Sequence, residues 1–290
     1  MESLRSLDHL VLPVSQLDLA RDRLTALGFL VAPDALHPFG TENACVFFAD
    51  GTYLEPLAVS SREACLAAVR DANMFIARDQ AFRFRVAQEG FSAFVMKSDD
   101  AAADHARFLR EGLSGGPMLS FSRPVRRADG SEDVARFHLA FAADLRSPDF
   151  FFFACERVNF AGFPAAPDHP NGVRGLKAVV LSEENPSDFQ EFLQLAAAGR
   201  KTRAHSFGIE VPVGNGMIEV LTPAGLAAFH GIATSRQGRG LRGEGMVLSV
   251  ASLAATEKCL VDRRVDFVRH GGRLVVPPAA GLGAFIAFEE

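Results

Sequence analysis

The stretch Leu7-Asp-His-Leu-Val-Leu-Pro13, followed at once by Leu17-Asp-Leu-Ala-Arg-Asp-Arg-Leu-Thr-Ala-Leu27, decides the fold. The first segment is a short apolar run of strand length. The second puts apolar residues at 17, 20, 24 and 27, one face of a helix, and stops at Gly28, a residue suited to the left-handed turn past a helix end. Strands are predicted next over 44–48 and 53–57, split by Asp50-Gly51, a dipeptide that favours tight hairpin turns. Strand, helix and further strands form one unit.

The same plan restarts at Phe91, Leu176 and Met246. The second unit reads as a strand over 91–96, a helix over 101–113 capped by Asp99 or Asp100, and strands near 118–125, 135–142 and 150–156. The third reads as a strand over 176–181, a helix over 186–198 and strands over 206–211 and 217–221. The fourth has a strand over 246–250, a helix over 252–270 and strands over 273–276 and 284–288. Short helical stretches over 61–71 and 224–230 follow the first and third units, so the repeat is two copies of a two-unit domain. Units of this kind cannot bury a sheet face alone and must pack in pairs. The Pro- and Gly-rich segment 162–172 marks the boundary, giving expected domains 1–161 and 172–290.

Composition narrows the function. At 48% hydrophobic and 22% charged residues the chain is a globular one, and its net charge of −5 offers no footprint for nucleic acid. The longest unbroken apolar run, Phe150 to Cys155, is far too short to cross a bilayer, and the first residues lack the basic start and apolar block of a signal peptide. No membrane partner and a cytoplasmic location are therefore expected. The four cysteines form no CxxC and read as buried small hydrophobes, which leaves redox and structural zinc roles without support. Twenty-six Phe against one Tyr and no Trp imply a strongly apolar interior, most of it core, and a Phe-lined cup would suit an apolar ligand body. No phosphate-binding glycine loop and no GxSxG elbow is present.

Two segments carry a carboxylate where an apolar strand residue is expected: Glu55 in Tyr53-Leu-Glu-Pro-Leu-Ala-Val59 and Glu219 in Met217-Ile-Glu-Val-Leu-Thr-Pro223. A strand buried on one face carries Glu inward only when something pairs with it. The first half alone has a His on its opening strand, His9. It is either a metal ligand or a buried imidazole bonded to Asp8 or to a backbone carbonyl. Glu55 is either a ligand and catalytic base or the partner of a cup arginine, Arg83, Arg85 or Arg123. Arg123 and Arg136 lie on neighbouring predicted strands, where an inward arginine could hold a substrate carboxylate and an outward one is an exposed charge.

The pattern resembles the vicinal oxygen chelate superfamily of glyoxalase I, bleomycin-resistance proteins and extradiol dioxygenases. Leu7-Asp-His-Leu-Val-Leu, Gly40-Thr-Glu-Asn43, Tyr53-Leu-Glu55, Phe121-Ser-Arg-Pro-Val125 and His169-Pro-Asn-Gly172 resemble, more narrowly, bacterial glyoxalase-like proteins. The resemblance implies an α+β fold of four βαβββ modules, paired into two glyoxalase-like domains with curved mixed sheets around a cavity. It also implies ligands on the first and last strands of paired modules. Here those are His9, Glu55 and Glu156, for a divalent zinc, nickel, manganese or iron ion. Glu156 either points inward with Phe152 and Ala154 or is the solvated residue where its strand ends beside Arg157. Ala93 stands where a His is common, the third and fourth modules have Ala178 and no His on their first strands, and Glu219 and Glu289 are what the C-terminal half has left. His37 lies in a loop that resembles the family's cavity mouth, where it either binds substrate or faces solvent.

The expected function is then a metal-dependent enzyme acting on a small carbonyl or vicinal-oxygen substrate, by lyase, isomerase or dioxygenase chemistry. Extradiol dioxygenation is the less favoured of these, since that site takes two His and one carboxylate. The alternative is a metal-free protein that sequesters a small molecule, as bleomycin-resistance proteins do. The C-terminal half reads as a dimerisation or lid element, or as a second ligand pocket, and a homodimer is compatible with either.

Overall fold

The computed structural model describes residues 4–126, 132–158, 166–198, 201–234 and 238–290. It has the expected α+β architecture, built on two curved mixed sheets. Residues up to 158 supply β1 (Leu7–Pro13), α1 (Leu17–Ala26), β2 (Ala35–Leu36), β3 (Thr41–Asn43), β4 (Val46–Phe47) and β5 (Tyr53–Val59). There follow α2 (Arg62–Arg70), α3 (Met74–Arg85), β6 (Ala93–Ser98), α4 (Ala101–Arg110), β7 (Leu119–Arg126), β8 (Glu132–Ala142) and β9 (Phe151–Val158). The second part begins with β10 (Val173–Ser182), α5 (Gln190–Ala196, entered by a 3-10 turn), β11 (Arg203–His205), β12 (Gly208–Val213) and β13 (Gly216–Leu221). It ends with α6 (Pro223–His230), β14 (Arg242–Val250), α7 (Leu253–Asp262), β15 (Val268–His270), β16 (Arg273–Val276) and β17 (Phe285–Glu289).

The first sheet runs β2-β3-β5-β1-β6-β9-β8-β7 with β4 beside β5, and the second runs β11-β12-β13-β10-β14-β17-β16-β15. In each, the unit's first strand lies parallel to its last and antiparallel to the first strand of the next unit. The two halves thus repeat one topology. Register matches as well: Glu55 sits beside Val11, and Glu219 sits beside Val180.

Strand alternation sends the two faces of each sheet to different places. Leu10, Leu12, Phe94, Met96, Phe152 and Ala154 join a cluster that also holds Leu24 of α1, Phe108 of α4, Leu193 of α5, Leu260 of α7 and Phe288 of β17. One apolar layer, helices included, therefore serves both sheets. Gly28 permits the contact: its φ is +83°, and a Cβ there would lie 2.7 Å from the Cys259 sulfur. On its other face the first sheet curls around Val11, Leu57, Val95, Phe137, Phe151, Phe153 and Cys155.

The structure departs from the sequence reading at three helices. Residues 74–85 form α3, unforeseen, capped by the Asn73 side chain accepting from the Ile76 N–H, and it packs Phe75 and Ile76 over the cup. The last helix ends at Asp262, not His270, because Arg264 turns left-handed at φ 57° and 268–270 pair as β15. Helix α4 likewise stops at Arg110. Part of the 162–172 segment lies outside the described residues. Among the described residues no helix is long and apolar enough to cross a membrane.

Candidate active site

A β-bulge creates the site. Leu7 pairs with Met96 but His9 pairs with Val95, so Asp8 is an extra residue in β1. Two residues against one breaks the alternation, and Asp8 and His9 become joined side chains where a regular strand would separate them to opposite faces. His9 Nδ1 donates to Asp8 Oδ1 at 2.6 Å. Arg157, at the end of β9, donates to Asp8 Oδ2 at 2.6 Å and also to Oδ1, and its Nη2 reaches the Tyr53 hydroxyl at 3.0 Å. Tyr53 stacks on the His9 ring with centroids 4.3 Å apart.

The other edge of the imidazole faces Glu55. His9 Nε2 lies 3.3 Å from Glu55 Oε2, and Asn43 Nδ2 donates to Oε1 at 2.6 Å. His37 comes in over the top: its Nε2 is 3.8 Å from the same Oε1, while its Nδ1 bonds Thr41 Oγ1 at 3.0 Å. Asp8, His9, His37, Asn43 and Glu55 are all buried. Around them Phe39, Phe75, Phe121, Arg123, Phe137, Leu139, Phe153 and Cys155 close a cavity of about 30 Å³, room for about two water molecules.

Burial sets the protonation states by what each group touches. Burial alone would lower the His9 pKa, but the hydrogen bonds to Asp8 and Glu55 outweigh it and raise it. Burial would raise Glu55, yet the His9 bond and charge, with His37 and Asn43, bring it down to about 2. Asp8 is also opposed by burial, and the Arg157 charge with the His9 bond holds it well below the usual carboxylate range. His37 goes the other way: burial, against the pull of Glu55, takes it down to about 4, so it is neutral at pH 7. Burial pushes the Cys155 thiol up to about 12, leaving it inert.

Of the residues singled out in the sequence, the fold gathers His9, Glu55, His37 and Arg123. It does not gather Glu156 or Arg136. Glu156 shares the helix-facing side of β9 with Phe152 and Ala154, and its carboxylate accepts the first N–H of α4 at 2.9 Å from Ala101. Arg136 stands opposite Ser122 while Ala135 and Phe137 face the cup, and it is exposed. Arg83 and Arg85 pair with Asp79 and Asp149, not with Glu55. The sequence reading missed Arg157 and Asn43 as members of the cluster. Asn43 was visible only as the end of Gly40-Thr-Glu-Asn43, and nothing local tied Arg157 to Asp8.

In the second sheet the same bulge occurs at Lys177, with Ala178 in the His9 position. Glu219 finds a different imidazole, His230 of α6, whose Nε2 is 3.3 Å from Oε2. Glu289 is bound to Lys177 and Arg273. Among the described residues no three His, Cys, Asp or Glu side chains close on a common point as a metal site in their present positions.

Comparison with known proteins agrees with this architecture. The family model for the glyoxalase-like domain matches residues 7–197. A hypothetical protein from Staphylococcus aureus superposes with a TM-score of 0.64 at 11% identity, covering 98% of each chain. A mutant of 4-hydroxymandelate synthase from Streptomyces coelicolor gives 0.63 at 14% identity, over 99% of this chain and 92% of that one. A catechol 2,3-dioxygenase gives 0.57 at 11% identity, over 99% and 88%. At such identities the likeness is one of fold. Comparison with curated proteins by sequence gives no match.

Proposed function

Since the chain belongs to the glyoxalase-like domain family, within the vicinal oxygen chelate superfamily, we propose that it is a metal-dependent enzyme acting on a small carbonyl or vicinal-oxygen substrate in the first sheet's cup. One observation carries the reading: two imidazole nitrogens, His9 Nε2 and His37 Nε2, both approach the Glu55 carboxylate, at 3.3 and 3.8 Å. Two imidazoles and one carboxylate are a donor set suited to divalent iron, manganese or zinc. The Asp8 carboxylate on His9 Nδ1 and the Thr41 hydroxyl on His37 Nδ1 are the outer bonds that ligating histidines use to fix their tautomer. The donor chemistry fits; His37 stands farther from Glu55 than His9 does. A divalent ion held by His9, His37 and Glu55 would polarise an adjacent carbonyl or pair of oxygens.

The chain's own groups do the remainder. Asp8, fixed by Arg157, keeps His9 oriented with Nε2 toward the cup. Glu55 is ionised at neutral pH, which suits it to ligate the ion. As the base for a carbon next to a polarised carbonyl it must first give up its bonds to His9 and Asn43, which hold its pKa down to about 2. Phe39, Phe75, Phe121, Phe137 and Phe153 give the cup apolar walls that leave little room for water beside the reacting atoms. The second His favours a two-His, one-carboxylate arrangement, which raises dioxygenase chemistry beside lyase and isomerase chemistry. We also assign the two sheets to domains 1–161 and 172–290.

Metal analysis tests the reading. Protein purified without chelator is expected to carry about one metal ion per chain, and His9→Ala and Glu55→Ala are expected to lose it, with His37→Ala weakening retention on dialysis. If the wild type stays empty after iron, manganese, nickel and zinc are each supplied, the reading fails. The Asp8–His9–Glu55 chain would then be a closed polar network in a metal-free binding protein.

A further inference from the structure

We propose that Arg123 is the anchor of an anion subsite, and that the ligand of this cup is a small monocarboxylate with an apolar body. The proposal rests on reading the cup as the substrate site, but not on the presence of a metal.

The argument starts from how the charges are paired. Arg157 is taken by Asp8, and Glu55 by His9 and Asn43. Arg123 also lines the cup, yet no carboxylate meets it among the described residues. Among the described residues its Nε is buried with no hydrogen-bond partner, and its Nη1 has only a long contact, 3.5 Å, to Asn43 Oδ1. A guanidinium offers five donors in a rigid fork suited to the two oxygens of a carboxylate. Leaving a buried donor unfilled is costly, so a site that keeps one is a site with a missing acceptor.

Topology explains why the arginine is there. β7 lies at one end of the strand order and β3 near the other, so the Arg123–Asn43 contact spans the opening left where the sheet curls on itself. Arg123 packs over the Phe137 ring at 5.6 Å, Phe137 stacks on Phe121 at 4.9 Å, and Phe121 meets Phe39 edge-on at 5.1 Å. The guanidinium is thus fixed on an aromatic wall, with apolar surface to receive the body of the ligand. A single amide, that of Asn43, separates the arginine from Glu55. A carboxylate held by Arg123 therefore presents its nearest carbons to the His9–Glu55 pair, where the proposed chemistry takes place. The cavity of about 30 Å³ restricts the ligand to a small acid, or requires the phenyl wall to part for a larger one.

Calorimetric titration of the full-length protein with acetate, butyrate and phenylacetate, each beside its methyl ester, tests the subsite. The wild type is expected to bind at least one acid at least about tenfold more tightly than its ester, the usual worth of a charge-assisted pair. Arg123→Gln is expected to lose that preference, and Arg123→Lys to retain part of it. Thermal unfolding of the variants checks folding. A role confined to closing the sheet opening would lower the melting temperature and leave the acid-to-ester ratio alone. Equal binding of acid and ester by the wild type overturns the proposal, as does an acid preference that survives Arg123→Gln or the absence of binding by every acid. Metal content of wild type and Arg123→Gln, measured on the same samples, separates the two readings. A wild type that holds no metal yet prefers the acid counts against the metal reading alone, and a metal-loaded wild type that binds acid and ester equally counts against the subsite alone.

Discussion

Asp8→Ala is expected to cost about 3–5 kcal/mol of stability, the range for removing one member of a buried ion pair and leaving its partner's charge uncompensated. Asp8 is buried and accepts from both Arg157 and His9, so its removal deprives two buried groups of one carboxylate. Its folded pKa lies far below the ordinary value because the Arg157 charge and the His9 bond overcome burial. Asp8→Asn keeps the shape and one acceptor oxygen and is expected to cost less, while turning the imidazole free to rotate. Urea unfolding of both variants, with Arg157→Met and the double variant completing a cycle, reads the coupling directly. An Asp8→Ala cost under about 1 kcal/mol would place the pair among those that contribute nothing measurable.

In chelator-treated protein, stability is expected to fall by up to about 3 kcal/mol as pH drops from 6.5 to 4, through His37. The sign follows from proton counting. His37 in the folded state has its pKa lowered from 6.5 to about 4, so across that window the unfolded chain binds a proton that the folded one refuses. Acid therefore favours unfolding. Glu55 adds a second loss at lower pH. Its folded value is about 2 against 4.5, so its contribution is whole above 4.5 and disappears as pH falls toward 2. His9 has the opposite dependence. Its raised pKa gives a contribution that is complete below 6.5 and is lost as pH climbs through the folded value. Urea midpoints at several pH values give the slope, and His37→Gln is expected to flatten it by about 1.4 kcal/mol per pH unit inside the window. An unchanged slope in that variant would assign the acid loss elsewhere.

The fold was legible because its signals are local. Strand length, helix periodicity and Gly28 all lie within one unit, and four similar units restart along the chain. His9 and Glu55 were legible for a related reason, since polar residues in apolar strands stand out. The failures share another cause. Phe151 to Cys155 is apolar without interruption, so alternation groups Glu156 with Phe152 and Ala154, as found, but does not say which face lines the cup; the cup takes Phe151, Phe153 and Cys155. Arg123 and Arg136 differ by register alone: Arg123 pairs with Ala135, which sets Arg136 one step out and onto the other face. Arg157 reaches the cluster from a strand far along the chain, through a contact with no local signature, whereas His37 was marked by its loop but not as a neighbour of Glu55. Helix α7 was drawn too long because the left-handed residue that ends it is Arg264, not a glycine.

The apolar layer shared by the two sheets bears on how this protein can be divided. The region that matches the family ends at residue 197, just past α5, yet Phe29 stacks against Phe288 and Leu24 belongs to the same cluster as Leu260. A fragment cut at that point would keep every residue of the His9 cup and lose the far half of its own core. Its helices would face water with their apolar sides bare, and such a surface invites aggregation. A protease nick in the linker would be tolerated only while the two pieces stay together. For expression and for any attempt to transplant the cup, the two sheets have to be kept together.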